Sequence, residues 1–270
     1  MLKTEMRNPR TTHIDRMSTA EMMAVMQEEN LHAARAVGAV TPAIGAAVDA
    51  IVPRMQAGGR LFYVGCGTSG RLGVLDAAEC PPTYGVPHGL VVGIIAGGDG
   101  ALRAAAEGAE DSAACGRSDL AAYAPNEKDS VVGISAAGGA AYVLEALALA
   151  REVGAFTVGV TSNADSPLAR AAHVAITPDT GAEVVTGSTR MKAGTAQKLI
   201  LNMLSTAVMI RLGHVYENLM INLRPTNAKL RRRMIGIVQE IRGVDGAAAE
   251  RLLEQNGWSI RKAVEREVTV

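Results

Sequence analysis

The sequence predicts an α/β fold built on a five-stranded parallel sheet, and three observations carry that expectation. Short apolar runs recur at 61–64, 90–95, 130–134, 157–160 and 174–176. Alanine-rich stretches of helical character separate them, which is the βαβ rhythm of parallel strands. A glycine-rich turn follows the first run, where an open α/β sheet binds its ligands, so the loops at 65–70, 96–100, 135–140 and 161–166 are expected to face one crevice.

Composition sets the bounds. With 270 residues, 48% hydrophobic, and 29 glycines, the chain has enough apolar material for one large or two small domains. Lys+Arg and Asp+Glu both total 27, so net charge favours neither nucleic acid nor an acidic membrane as a partner. Cys66, Cys80 and Cys115 form no C-x-x-C pair, and neither a signal peptide nor a long apolar span is present. The expected compartment is the cytoplasm. His13, His32, His88, His173 and His214 lack metal-ligand spacing, no serine sits in a G-x-S-x-G elbow, and no Walker loop occurs. No metal or other cofactor is expected, which leaves acid–base chemistry by carboxylates.

The elements follow in order. Residues 1–17 are polar and irregular; Ser18 and Glu21 have the spacing of a capping box, opening a helix to about residue 37. A second helix, 41–57, carries Ile44, Val48, Ile51 and Val52 at helical spacing and ends at Gly58-Gly59. Together they form an N-terminal arm, 1–58, which can dock on a second subunit or on its own chain.

The first strand runs into Gly65-Cys66-Gly67-Thr68-Ser69-Gly70, and a helix opens near Ser69. Unpaired N–H groups, the positive end of the helix dipole and two hydroxyls favour an anion there, most simply a phosphate. The run also satisfies the dinucleotide fingerprint G-x-G-x-x-G, but the next strand continues through Gly97-Gly98 before Asp99 rather than ending on the acidic residue that holds a ribose. Pro81-Pro82 is expected to stop the helix at Glu79-Cys80. Glu79 at a helix C-terminus, if dry, gains a raised pKa and suits a general acid; a solvated terminal glutamate is the alternative.

A helix is expected over 101–114, with Glu107 and Glu110 one turn apart on one face. Crowded carboxylates raise one another's pKa and suit a base, or are simply solvated. Residues 186–198 gather Thr186, Ser188, Thr189 and Thr195 with Arg190, Lys192 and Lys198 ahead of an apolar helix. That reads as a second anion site at a helix start, or as a capped helix with surface cations. Beyond it, a helix at 229–242 carries Arg231, Arg232 and Arg233, and residues 245–270 hold one or two short helices with Gly257 as a stop.

The stretch GTSGRLGVLDAAECPPTYG from Gly67 resembles the signature of the N-acetylmuramic acid 6-phosphate etherases, enzymes of the sugar-isomerase (SIS) fold. TEMRNPRTTHID from Thr4, IIAGGDGALRAAAEGAED from Ile94, EVVTGSTRMKAGTAQKLILNMLSTAVMIRLG from Glu183 and YENLMINLRPTNAKLRRR from Tyr216 resemble the same family in the same order. The resemblance implies a three-layer αβα SIS sandwich at 59–243 and a small ubiquitin-associated-like helical segment at 244–270. It implies a lyase that removes D-lactate from N-acetylmuramic acid 6-phosphate, with Glu110, the second glutamate of the E-G-A-E-D run, as base and Glu79 as acid. Phosphate and sugar are then expected at Gly67, Thr68, Ser69, Gly70, Ser135, Gly138, Ser188, Thr189 and Lys192. At 135–141 the sequence departs from the family pattern A-A-S-G-R-T-P, with Ala137, Gly139, Ala140 and Ala141 in place of Ser, Arg, Thr and Pro. The expected partners are a sugar phosphate and a second copy of the chain. A sugar-phosphate-sensing regulator, an aldose–ketose isomerase and a dehydrogenase are the competing readings.

Overall fold

A computed structural model describes residues 2–223, 225 and 227–264. The chain splits into two compact units, residues 1–78 with 89–208, and residues 79–88 with 209–270.

The first unit opens with α1 (Thr19–Ala39) and α2 (Thr41–Gln56). Ser18 and Glu21 form the expected capping box, the Ser18 N–H donating to the Glu21 carboxylate at 2.8 Å. The sheet strands are β1 (Leu61–Gly65), β2 (Val91–Ile95), β3 (Ser130–Ile134), β4 (Phe156–Val160) and β5 (Val174–Ile176), all parallel in the order β2-β1-β3-β4-β5. Between them run α3 (Gly67–Tyr84), α4 (Ala113–Ala121), α5 (Ala141–Glu152) and α6 (Pro167–Ala171), and α7 (Lys192–Arg211) follows β5.

β1, β3 and β4 are buried along their whole length, as central parallel strands covered on both faces must be. Phe62, Val64 and Val131 pack on one face against Val143, Ala146 and Leu147 of α5 and Leu168 of α6. On the other face α3 lies close enough that a Cβ on Gly73 would stand 2.8 Å from the Tyr63 Cβ. Helices on both faces of a parallel sheet make three layers.

Two expected helices differ. α3 continues through Pro81 and Pro82 to Tyr84, because prolines in a last turn remove only two N–H groups and Gly85, at φ +67°, closes the end by donating to the Pro81 carbonyl at 2.9 Å. Glu79 therefore lies more than a turn before the helix end, and the helix-end argument for its acidity does not apply. The segment 101–114 is not one helix. Short 3-10 turns form at Asp99–Leu102 and Ala109–Asp111, and α4 starts only at Ala113, where the Ser112 hydroxyl caps it. Gly108, at φ +72°, breaks a continuous helix there.

The irregular start of the chain docks on its own unit. Lys3 N–H donates to Asn163 Oδ1 at 3.0 Å, and the Thr11 hydroxyl donates to the Val184 carbonyl at 2.8 Å.

The second unit holds the hairpin β6 (Val215–Tyr216) and β7 (Leu219–Met220) with α8 (Ala228–Arg242), α9 (Gly246–Gln255) and α10 (Ile260–Val264). Met234, Val238, Leu253 and Ile260 form its core. The expected Gly257 stop lies just past α9, and the part of the last expected helix beyond residue 264 lies outside the described residues.

Candidate active site

The carboxyl ends of β1 and β3 frame a cavity of about 190 Å³, lined by Gly67, Thr68, Ser69, Ser135, Thr189 and Glu110 among others. The first bond of α3 is Gly70 N–H to the Cys66 carbonyl at 3.2 Å, so the N–H groups of Gly67, Thr68 and Ser69 precede the helix ladder. They and the Thr68 hydroxyl give this end of the cavity a positive, donor-rich wall. Ser135 lines the same cavity, its oxygen accepting the Gly138 N–H at 3.1 Å.

Glu110 reaches the cavity from the Ala109–Asp111 turn, which follows Gly108 at φ +72°. It is exposed, and it also lines an adjoining cavity of about 270 Å³ with Gly67, Arg71 and Glu107. Arg71 holds the approach to that turn, donating to the carbonyls of Leu102 and Ala104 at 3.2 Å each. Cys66 lines both cavities. Burial pushes its thiol up to about 12, and the charges of Glu110 and Asp111 add to the shift, so the sulfur stays protonated and is a poor nucleophile.

Several expected ligands are engaged elsewhere. Lys192 is buried: its ammonium pairs with the Glu29 carboxylate and donates to the Ala182 carbonyl at 2.9 Å. At the start of α7 the Glu183 carboxylate already accepts the N–H groups of Lys192 and Ala193, both at 2.9 Å. Gly70 serves packing; a Cβ there would stand 2.6 Å from the Gly65 carbonyl oxygen. Gly138 does likewise: its N–H is taken by Ser135, and a Cβ would lie 2.3 Å from the Ser166 hydroxyl. Ser188 is half-buried in the turn that carries Thr189 and lines neither cavity. Glu79 is exposed on the part of α3 that belongs to the second unit and lines neither cavity. Arg190 and Lys198 line a separate hollow of about 290 Å³ beside Thr68 and Thr195. The 161–166 loop also turns elsewhere, lining a hollow of about 570 Å³ with Lys3 and Asp179.

Three residues of consequence were not legible from the motifs. Gln197 is buried and accepts the Ser69 hydroxyl at 2.9 Å. Glu183 fixes the far end of the loop bearing Thr189. Asp76, buried on α3, accepts from Asn202 at 2.6 Å and Ser205 at 3.2 Å on α7 and so ties the two helices that carry Thr68 and Gln197. Among the described residues no cluster of His, Cys, Asp and Glu could hold a metal ion.

A cavity with a donor-rich helix start at one wall and a carboxylate at another can hold a phosphorylated substrate and move a proton on it. Comparison with known proteins agrees with that chemistry. The SIS domain family matches residues 117–207, and the glucokinase regulatory protein N-terminal SIS domain family matches residues 43–151. A Bacteroides fragilis NCTC 9343 protein involved in capsule formation superposes with a TM-score of 0.55 at 26% identity, over 73% of this chain and 94% of its own. The phosphoheptose isomerase of Francisella tularensis shares the fold, with a TM-score of 0.55 at 18% identity, over 72% of this chain and 100% of its own. The N-acetylmuramic acid 6-phosphate etherase of Pectobacterium atrosepticum is 52% identical over 263 residues, 97% of this chain and 87% of the relative. The etherase of Caldanaerobacter subterraneus subsp. tengcongensis is 53% identical over 263 residues, 97% of this chain and 86% of the relative. With identity at that level along nearly its whole length, the chain belongs to the N-acetylmuramic acid 6-phosphate etherase family, whose SIS fold its sheet and helices display.

Proposed function

We propose that the chain is a carbon–oxygen lyase that cleaves the D-lactyl ether of N-acetylmuramic acid 6-phosphate, yielding N-acetylglucosamine 6-phosphate and D-lactate. The observation that carries this reading is Glu110 sharing one cavity with the amide and hydroxyl donors at the start of α3. The 6-phosphate sits against those donors, in the cavity that Thr189 and Ser135 also line. Binding energy from this unreacting group then orients the sugar ring toward Glu110.

An ether oxygen is a poor leaving group, so the reaction proceeds through the open-chain aldehyde, whose carbonyl acidifies the C2 proton. Glu110 removes that proton, the electron pair forms the C2–C3 double bond, and the C3–O bond breaks. The acid role that the family resemblance gives to Glu79, which lines neither cavity, is the protonation of the departing oxygen, giving lactate. Water then adds at C3 and a proton returns to C2. Each acid or base step is worth on the order of 10²–10⁴-fold.

The protein works in the cytoplasm as a homodimer on this account. The apolar side chains that α1 leaves outside, Met23 at 53% and Leu31 at 38% exposed, fit a second copy, and no single helix among the described residues is long and apolar enough to cross a membrane. The direct test is D-lactate release when the purified protein meets N-acetylmuramic acid 6-phosphate. Release is expected, and its absence with the folded protein overturns the assignment.

A further inference from the structure

Gln197 is 2% exposed, and its Oε1 accepts the Ser69 hydroxyl at 2.9 Å. Its Nε2, which carries two N–H donors, has no hydrogen-bond partner among the described residues. A buried amide nitrogen without a partner is costly, and here a hydroxyl oxygen able to accept from it stands beside it. The arrangement also directs the Ser69 proton at Gln197. The cavity beside α3, which Ser69 lines, then receives the hydroxyl's lone pairs where an incoming anion needs a donor.

We infer that Gln197 is a positioning residue for the phosphate: when an anion enters, its side-chain amide turns over, Nε2 donates to Ser69 Oγ, and the Ser69 proton is freed to donate to a phosphate oxygen. Rotation by about 180° about the terminal bond exchanges two atoms of nearly equal size and leaves the packing of α7 on α3 unchanged. One hydrogen bond is lost and two are made, the second to a charged acceptor, which makes it the stronger one. Oε1 is left unpaired in exchange for Nε2, so without an anion each orientation holds one hydrogen bond to Ser69, and the added bond to the charged acceptor decides between them. Gln197 never touches the anion. The inference uses the anion site of the proposed function, but any phosphate monoester or inorganic phosphate suffices to drive it.

The test is a double-mutant cycle read with inorganic phosphate and with N-acetylglucosamine 6-phosphate, using calorimetry on wild type, Ser69→Ala, Gln197→Met and the double variant, each shown to melt cooperatively. Ser69→Ala should weaken both ligands about 10-fold or more, the loss of one hydrogen bond to a charged group. Gln197→Met should weaken them by a smaller factor and add nothing in the Ser69→Ala background. In ¹⁵N-labelled wild type, the Gln197 side-chain amide resonances, assigned by their loss in Gln197→Met, should move downfield on phosphate addition, and this shift should vanish in Ser69→Ala. Full affinity in Gln197→Met, equal losses with and without Ser69, or unmoved amide resonances would each overturn the inference. Lactate release is scored separately: coupling without release upholds the relay and defeats the lyase reading, whereas release without coupling defeats the relay alone.

Discussion

The carboxylate of Glu183 accepts the backbone N–H of Lys192 at 2.9 Å, and the neighbouring Ala193 N–H binds its other oxygen at the same distance, so α7 begins on an anion that the chain itself supplies. Burial raises the Glu183 carboxyl above the usual range, and the two N–H bonds pull the other way. The same contact closes the loop that carries Thr189. Glu183→Ala should lower stability by about 1–3 kcal/mol, the cost of unpairing two buried donors, and should raise KM for the phosphorylated substrate by loosening Thr189. An unchanged urea midpoint would contradict the cap.

Lys192 follows from the same geometry. Its ammonium neutralises Glu29, whose side chain is 4% exposed and whose other oxygen meets Arg10 at 3.1 Å. Removing Lys192 leaves the buried Glu29 with only the exposed Arg10 as a partner, so Lys192→Met should lose stability, up to about 3–5 kcal/mol, the cost of a fully uncompensated buried charge. Phosphate affinity of the folded variant should stay near wild type. Unchanged melting with a large loss of phosphate binding would return Lys192 to the site.

Stability should fall on both sides of a pH optimum, for opposite reasons. Burial works to raise Glu29 and Asp129, but Lys192, Asn8 and Arg10 outweigh it for the first, and Arg60 and Asn126 for the second, holding both carboxyls below their usual range. A folded pKa below the unfolded one contributes stability above the unfolded value and loses it as pH falls through the folded value. Asp76 runs the other way: burial raises it against the bonds from Asn202, Ser205 and Tyr63, so its contribution is complete below the unfolded pKa and is lost as pH rises through the folded one. Urea midpoints followed across pH should show Lys192→Met flattening the acid limb and Asp76→Asn flattening the other. If Asp76→Asn leaves the upper limb as steep as in wild type, the sign assigned to Asp76 is wrong.

The two glutamates should separate by the step they serve. Glu110→Gln should abolish both turnover and exchange of the C2 proton with solvent. Glu79→Gln should block lactate loss while leaving that exchange measurable by NMR in deuterium oxide. Exchange at the wild-type rate in Glu110→Gln would remove Glu110 from the base role.

Much of the fold was legible because it depends on local chemistry. Buried parallel strands need unbroken apolar runs, and β3 and β5 fall on the expected residues, 130–134 and 174–176. The Ser18–Glu21 box could be identified for the same reason. α3 outran its expected end because two prolines in a final turn are cheap once Gly85 closes it. At the site, Gly67, Thr68, Ser69, Ser135, Thr189 and Glu110 do share a cavity. Lys192 does not join them, since the residue that takes its charge lies 163 positions away. A side chain's type announces what it can bind; only the fold determines which partner claims it. Gln197 was missed on the same ground, because nothing around it in sequence signals a partner on α3.

The reaction class itself is tested most directly by isotope placement. Elimination and readdition break the bond between C3 and the ether oxygen, so the original oxygen leaves with lactate and the new hydroxyl comes from water. Turnover in ¹⁸O-water and deuterium oxide should put ¹⁸O at C3 of the sugar, deuterium at C2, and no heavy oxygen in the lactate hydroxyl. Heavy oxygen in the lactate hydroxyl, with the original hydrogen still at C2, would contradict the elimination and with it the roles of Glu110 and Glu79.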